Sequence, residues 1–220
     1  MSLQAPYEYI ANYYDQVQKK NLRFPEVADF WLSGFRHVKG ESVLNLGCGP
    51  MFYDNFLYFR DKLKNYVGLD LNEQSFEFLE NSQHPNLLFA KEKAQKQDMD
   101  MRFIKGSVFD HIGSLKNQFD TIVGVGFFAT FEDEEFKNLL AGCHSMLKPD
   151  GRLLKMTWHG TQRTAEEQED KIKYRYDNEN EPAAHELIKR FENENFKTLD
   201  NEVLRCPPNT VGWNAYIVSS

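Results

Sequence analysis

Two short apolar runs each end in residues suited to holding a nucleoside. Val43-Leu44-Asn45-Leu46 stops at Gly47-Cys48-Gly49, and Val67-Gly68-Leu69 stops at Asp70. Glycine's missing side chain lets a ligand approach the backbone, and a helix that starts after such a turn presents free N–H groups. Asp70 lies 23 residues beyond Gly47. That is close to the roughly 20-residue interval at which an acid on the adjacent parallel strand accepts the hydroxyls of a ribose. A dinucleotide fingerprint would place a third glycine at position 52, which is Phe52, so the pattern argues against NAD.

The elements that must carry these residues alternate along the chain. A strand over Ser42–Leu46 and a second ending at Asp70 bracket a helical pattern from Asp54 to Lys64. Upstream, helices are expected over Pro6–Lys20 and Pro25–His37, with Pro25 at a first-turn position. Asn72 caps a helix reaching Glu80, and His84-Pro85-Asn86 interrupts the pattern. Lys91 to Asp98 alternates charge with few apolar residues and reads as a solvated helix face. Met101–Ser107 and Phe119–Gly126 read as the third and fourth strands, followed by a helix over Asp133–Leu147. Leu147–Leu154 reads as the turn into a fifth strand, and a helix is expected over Pro182–Asn193. Phe196–Arg205 and Trp213–Ser219 flank a Pro/Gly-rich connection and read as an antiparallel pair. The expectation is an α/β fold: a Rossmann-like seven-stranded sheet, mostly parallel, closed by a C-terminal antiparallel hairpin, with helices on both faces.

In this order, the run Asn45 to Met51, Asp70, the strand ending Lys105-Gly106-Ser107, Phe119 to Gly126, and Leu147 to Leu154 resemble the class I S-adenosylmethionine-dependent methyltransferases. Three residues depart from that pattern. Asn45 stands for the usual acid, Met51 for the third glycine, and Ser107 for the acid often found at the adenine end. A narrower likeness concerns Tyr9-Ile10-Ala11-Asn12-Tyr13-Tyr14, with Val38-Lys39-Gly40 and Gly47 through Tyr53. These are similar to elements of the nicotinamide, phenylethanolamine and indolethylamine N-methyltransferases. The resemblance implies S-adenosyl-L-methionine as cofactor, with S-adenosyl-L-homocysteine as product. It implies cofactor contacts at Tyr9, Tyr14, Gly47, Cys48, Gly49, Tyr53, Asp70, Leu71, Ser107, Val108 and Val125.

A sulfonium is already a good leaving group, so methyl transfer chiefly requires an acceptor held in line and shielded from water. A neutral amine attacks unaided, whereas a hydroxyl or a protonated amine needs a base within hydrogen-bond reach. Tyr14 and His159 are the candidates for such a role. Of the six histidines, His159 alone follows the fifth strand, in Met156-Thr157-Trp158-His159-Gly160. Ligands bind at that carboxyl edge in open α/β sheets. Trp158, Phe127 and Phe128 reach the same edge and are the candidate acceptor contacts; for Phe128 and Phe131 core packing is an equal reading. Aromatic faces suit flat or cationic acceptors, so a small-molecule amine is expected. A protein or RNA methyltransferase, or a noncatalytic binding module for the same cofactor, are the alternatives.

Composition narrows the classes further. The 220 residues carry a net charge of −7 with no basic block, so the counterion-release footprint of a nucleic-acid binder is missing. No stretch approaches the ~20 apolar residues of a membrane span, and a cytoplasmic protein is expected. Cys48, Cys143 and Cys206 are far apart, with neither Cys-x-x-Cys nor Cys/His ligand spacing, so neither a disulfide nor a metal is expected. The length fits one domain. Residues 1–37 are read as a helical cap, 38–160 as the cofactor core, and 161–220 as the acceptor-side cap and hairpin.

Overall fold

The computed structural model describes residues 7–8, 10–12, 15, 34–50, 63–128, 131, 133–160, 184–205 and 212–219. Strands β1 (Ser42–Leu46) and β2 (Asn65–Asp70) are buried almost throughout. Continuously apolar strands are what a parallel sheet covered on both faces requires. They are followed by α1 (Glu73–Asn81), α2 (Pro85–Lys96), β3 (Asp100–Lys105) and the single turn α3 (Val108–His111). Then come β4 (Phe119–Val125), α4 (Asp133–Met146), β5 (Leu147–Gly160), α5 (Ala184–Asn193), β6 (Thr198–Arg205) and β7 (Gly212–Ser219). The strands form one sheet in the order β3-β2-β1-β4-β5-β7-β6. Pairing is parallel from β3 to β5, and β7 lies antiparallel between β5 and β6.

Alternation along each strand feeds two cores. Val43, Tyr66, Val123 and Leu154 meet Phe78 and Leu79 of α1, with Ile10 and Phe35, on one face. Leu44, Leu46, Val67 and Ile122 meet α4 and Phe191 of α5 on the other. In α4, Phe136, Leu139, Leu140, Cys143 and Met146 are buried, the spacing of one helical stripe. The amino end of the sheet is buckled by Asp120, which accepts from Glu41 N–H (3.0 Å), Ser42 N–H (2.9 Å) and Lys148 Nζ (3.0 Å). Burial pushes this carboxyl up, but those three donors outweigh it and hold its pKa below the ordinary aspartate value.

The structure moves several expected boundaries. Of the helix expected over Asp54–Lys64, Leu63 and Lys64 are not helical and residues 54–62 lie outside the described residues. Pro85 opens α2 rather than lying in a break, since a helix's first position needs no N–H; Lys91–Lys96 is its solvated end, with Ala94 turned into the core. β5 runs from Leu147 to Gly160, so the expected turn at Leu147–Leu154 lies inside the strand. It is accommodated by a register shift between Phe119 and Thr121 and by Asp150 at φ 61°. Trp158 and His159 therefore belong to β5 instead of following it. Phe196 precedes β6 and is buried. Tyr9, Tyr14, Tyr53, most of the two N-terminal helices and all of 161–183 lie outside the described residues.

Candidate functional site

The strand order reverses between β1 and β4, the place where ligands of open α/β sheets bind. At this carboxyl edge each exit turn is tied to a neighbouring strand. Gly47 N–H and Cys48 N–H both donate to Leu69 O, at 2.8 and 3.2 Å, while Gly106 N–H donates to Asp70 O at 3.0 Å. Gly126 N–H donates to Met156 O at 2.8 Å. Gly47 and Gly49 have φ of 63° and 50°, the left-handed region that glycine enters without strain.

Asp70 joins two of these turns. Its Oδ2 accepts from Gly49 N–H and its Oδ1 from Asn72 N–H, both at 2.7 Å. Burial raises its pKa above the ordinary value, against the opposing pull of the Asn72, Gly49 and Leu71 amides. A carboxylate oxygen has room for more than one donor, so this buried acid is suited to two further O–H donors. The three amides at positions 47–49 are committed within the protein, and the start of the following helix, which was expected to present free N–H groups, lies outside the described residues.

The other expected cofactor residues are spread along the same edge. Cys48 is buried, its Sγ filling the space where a Cβ on Gly68 would come within 2.8 Å. Leu71 is 58% exposed immediately after Asp70. Ser107 caps α3, its Oγ accepting from Phe109 N–H at 3.4 Å, and Val108 is buried behind it. Val125 ends β4 opposite Met156. Asn45 is buried, and its Nδ2 donates to Tyr66 Oη at 3.0 Å, anchoring β1 to β2.

On the acceptor side the two adjacent phenylalanines separate. Phe127 is half-buried, and a Cβ on Gly47 would lie 2.5 Å from its Cδ2, so the ring rests on the glycine turn. Phe128 is wholly buried, fills the space at Gly124 and packs on Phe191 at 5.8 Å between ring centroids. The acceptor contact expected of Phe128 is therefore corrected to a core role. Phe131 stands 5.0 Å from Phe127 and 5.9 Å from Phe109, which makes a row of three rings along one flank. Phe109 was not expected here; its place two residues after Ser107 was the available signal. Trp158 and His159 occupy the part of β5 that continues past Val125 and pairs with Asn214 and Trp213. Among the described residues no cluster of His, Cys, Asp and Glu could hold a metal ion, and no helix is long and apolar enough to cross a membrane.

This sheet order, with an antiparallel seventh strand and a Gly-rich turn beside an acid, is the class I S-adenosylmethionine-dependent methyltransferase fold. Residues 43–151 match the family model described as a methyltransferase domain. A SAM-dependent methyltransferase from Aquifex aeolicus is similar over 94% of this chain and 98% of its own, at 18% identity and a TM-score of 0.58. The 1,6-didemethyltoxoflavin-N1-methyltransferase of Burkholderia thailandensis, solved with its substrate and S-adenosylhomocysteine, is 18% identical over 100% of this chain and 91% of that one, at 0.57. Geranyl diphosphate C-methyltransferase of Streptomyces coelicolor A3(2) is 12% identical over 94% and 81%, at 0.60. No curated protein matches the sequence. The chain carries a class I methyltransferase domain, an enzyme class whose methyl donor is S-adenosylmethionine.

Proposed function

We propose that the protein methylates a small molecule, and that the atom methylated is the nitrogen of an amine. The observation that supports the site is the pairing of the Gly47–Gly49 turn with the buried carboxylate of Asp70. The residues fit the donor: Gly49 brings backbone without a side chain beside Asp70, whose carboxylate retains acceptor capacity for ribose hydroxyls. Leu71, Ser107 and Val108 then flank the adenine and Val125 backs the methionine portion. The sulfonium supplies an activated methyl group, and no covalent work is left to the protein. Its own residues bind, orient and keep water away.

A small acceptor is supported by the ligands in the names of two similar enzymes, geranyl diphosphate and didemethyltoxoflavin. The chain's acidity also disfavours a nucleic-acid partner. An amine is supported by the aromatic flank, since ring faces stabilise the positive charge that an attacking nitrogen acquires. We assign Phe127 and Trp158 to the acceptor, with Tyr14 or His159 as the base if the nitrogen arrives protonated, and Tyr9, Tyr14 and Tyr53 to the cofactor. In this reading the chain is one domain of cap, cofactor core and acceptor-side cap, within the limits 1–37, 38–160 and 161–220.

Labelled-methyl transfer from S-adenosylmethionine to separated metabolite, RNA and protein fractions of a cell extract tests this. Label is expected in the metabolite fraction, on nitrogen. Label confined to RNA or protein overturns the small-molecule reading, and donor binding without transfer to any fraction leaves the noncatalytic module.

A further inference from the structure

The register of the last three strands sorts charge between the two faces of the sheet. Residues directly opposite one another in antiparallel strands share a face, so β5, β7 and β6 line up in cross-strand rows from Leu153 to Gly160. On the face of Leu153, which belongs to the core of α4 and α5, these rows carry Lys155, His159 and Arg205 and no acid. On the face of Leu154 and Met156 they carry Asp200 and Glu202 and no base. Asp200 is paired there with His37 at 3.1 Å. The row nearest the carboxyl edge is His159-Trp213-Arg205. It stands past the Val125–Met156 pair, on the same face as Phe127 and Phe131, which pack against the α4–α5 core. One flank of the edge therefore runs from these two rings beside β4 to a histidine, a tryptophan and a permanent cation. Trp158, one residue before His159, takes the opposite face.

We infer that the methyl acceptor carries an oxyanion, a carboxylate or a phosphate, and that Arg205 is the residue that holds it. The inference rests on the reading of this edge as the acceptor side of a small-molecule methyltransferase. A guanidinium stays charged at any working pH, and its planar fork matches both oxyanions. An acid beside it would cancel that charge. The register places none in its own row or in the preceding one, Thr157-Ala215-Val203. Among the described side chains of the same edge, the cations Lys105 and Arg190 are matched by Glu73 and Asp133. In a chain of net charge −7, a face with bases and no acid is a local reversal of potential, and it lies where an acceptor has to enter. Two strand spacings of about 4.8 Å separate β5 from β6, a distance that one small molecule spans. Trp213 stands between the two positions, on the path of a flat acceptor body. The acceptor class that follows is an amine bearing an acidic group: its nitrogen takes the methyl group beside β5, and its acidic end is held on β6.

The test divides the metabolite fraction of a cell extract on an anion exchanger in mild alkali, where amines are neutral and acids are charged. Each pool is then assayed for labelled-methyl transfer from S-adenosylmethionine. Label is expected in the retained pool. Treating that pool with phosphatase beforehand separates the two sources: transfer survives if the group is a carboxylate and is lost if it is a phosphate ester. In Arg205→Gln, the amount of retained pool needed for half-maximal transfer should rise by about ten- to a hundredfold, the loss of a charge-assisted contact. Arg205→Lys should recover part of it. Calorimetry of S-adenosylhomocysteine should give the parent's affinity in both variants, which also shows that they fold. Label confined to the unretained pool overturns the inference whatever the variants do, and so does an unchanged requirement in Arg205→Gln. Weakened S-adenosylhomocysteine binding in both variants assigns Arg205 to the integrity of the sheet and overturns its role toward the acceptor. Label only in RNA or protein, or in no fraction, overturns the small-molecule reading itself, an outcome distinct from the others.

Discussion

Asp70 and Asp120 sit at opposite ends of the same sheet and titrate in opposite directions, which makes each a separate probe. Asp70 is raised by burial, so its contribution to apo stability is present below the ordinary carboxylate pKa and is lost as pH rises through its raised value. Ribose hydroxyls favour the ionised form. Affinity for S-adenosylhomocysteine is therefore expected to be full near neutrality and to weaken in acid, starting at a higher pH than an ordinary aspartate would give; calorimetry across pH measures this. Asp70→Ala should weaken the same ligand by roughly ten- to a hundredfold, the loss expected for charge-assisted hydrogen bonds. Asp120 is lowered by its donors despite burial. Its contribution is present above the ordinary pKa and is lost as pH falls through the lowered one. Urea unfolding should show Asp120→Ala less stable than the parent by on the order of 1 kcal/mol at neutral pH, after allowance for solvent screening. The gap should close in acid.

At the scale of elements, the divergence of Phe127 and Phe128 follows from where β4 ends. Phe128 fills the space left by Gly124 and belongs to the α5-side core. Phe128→Ala is expected to cost about 3–5 kcal/mol in unfolding free energy. Phe127→Ala, at a half-buried position, should cost less stability and raise the acceptor's Michaelis constant, a contrast that thermal melts and steady-state kinetics on the two variants would show. The sequence could not separate the two rings, because adjacent aromatics after a strand carry the same apolar signal and only the path of the chain decides which turns inward. Strand positions were legible where long buried runs made them so: β1 stands at Ser42–Leu46 as expected, and Asn72 caps α1 through its side chain, which accepts from Gln74 N–H. Length was not legible in β5. Pro149 and Gly151 read as a turn, yet a strand with one irregular register step accommodates both.

The molecule as a whole couples ligand and stability. The cofactor edge is made of turns from β1, β2 and β3 tied to one another, with the β4 turn tied to β5, rather than of one loop. A donor seated there is expected to stabilise the whole sheet by mass action. At one hundred times its dissociation constant, S-adenosylhomocysteine should add about 2.7 kcal/mol and raise the midpoint of thermal unfolding by about 5–10 °C. NAD at the same concentration should leave it unmoved. The cofactor half of the site was the readable part of the sequence because its chemistry depends on backbone geometry, which glycines and a terminal acid announce. The proposed acceptor half draws on rings from separate segments, such as Phe109 and Phe131, and no local spacing encodes that meeting.

β5 outruns β4. Past the Val125–Met156 pair it continues from Thr157 to Gly160 with β7 as its sheet neighbour, and Gly160 stands opposite Gly212. The chain between those positions carries α5, whose Phe191 lies in the core, and β6, which pairs with β7, while β1 and β2, which hold the glycine turn and Asp70, lie on the other side of β4. The connection from β5 to α5 can therefore change in length without altering the register of the strands that hold the glycine turn and Asp70. On the proposed reading the acceptor changes by exchange of that connection, while the donor side of the sheet is inherited unchanged.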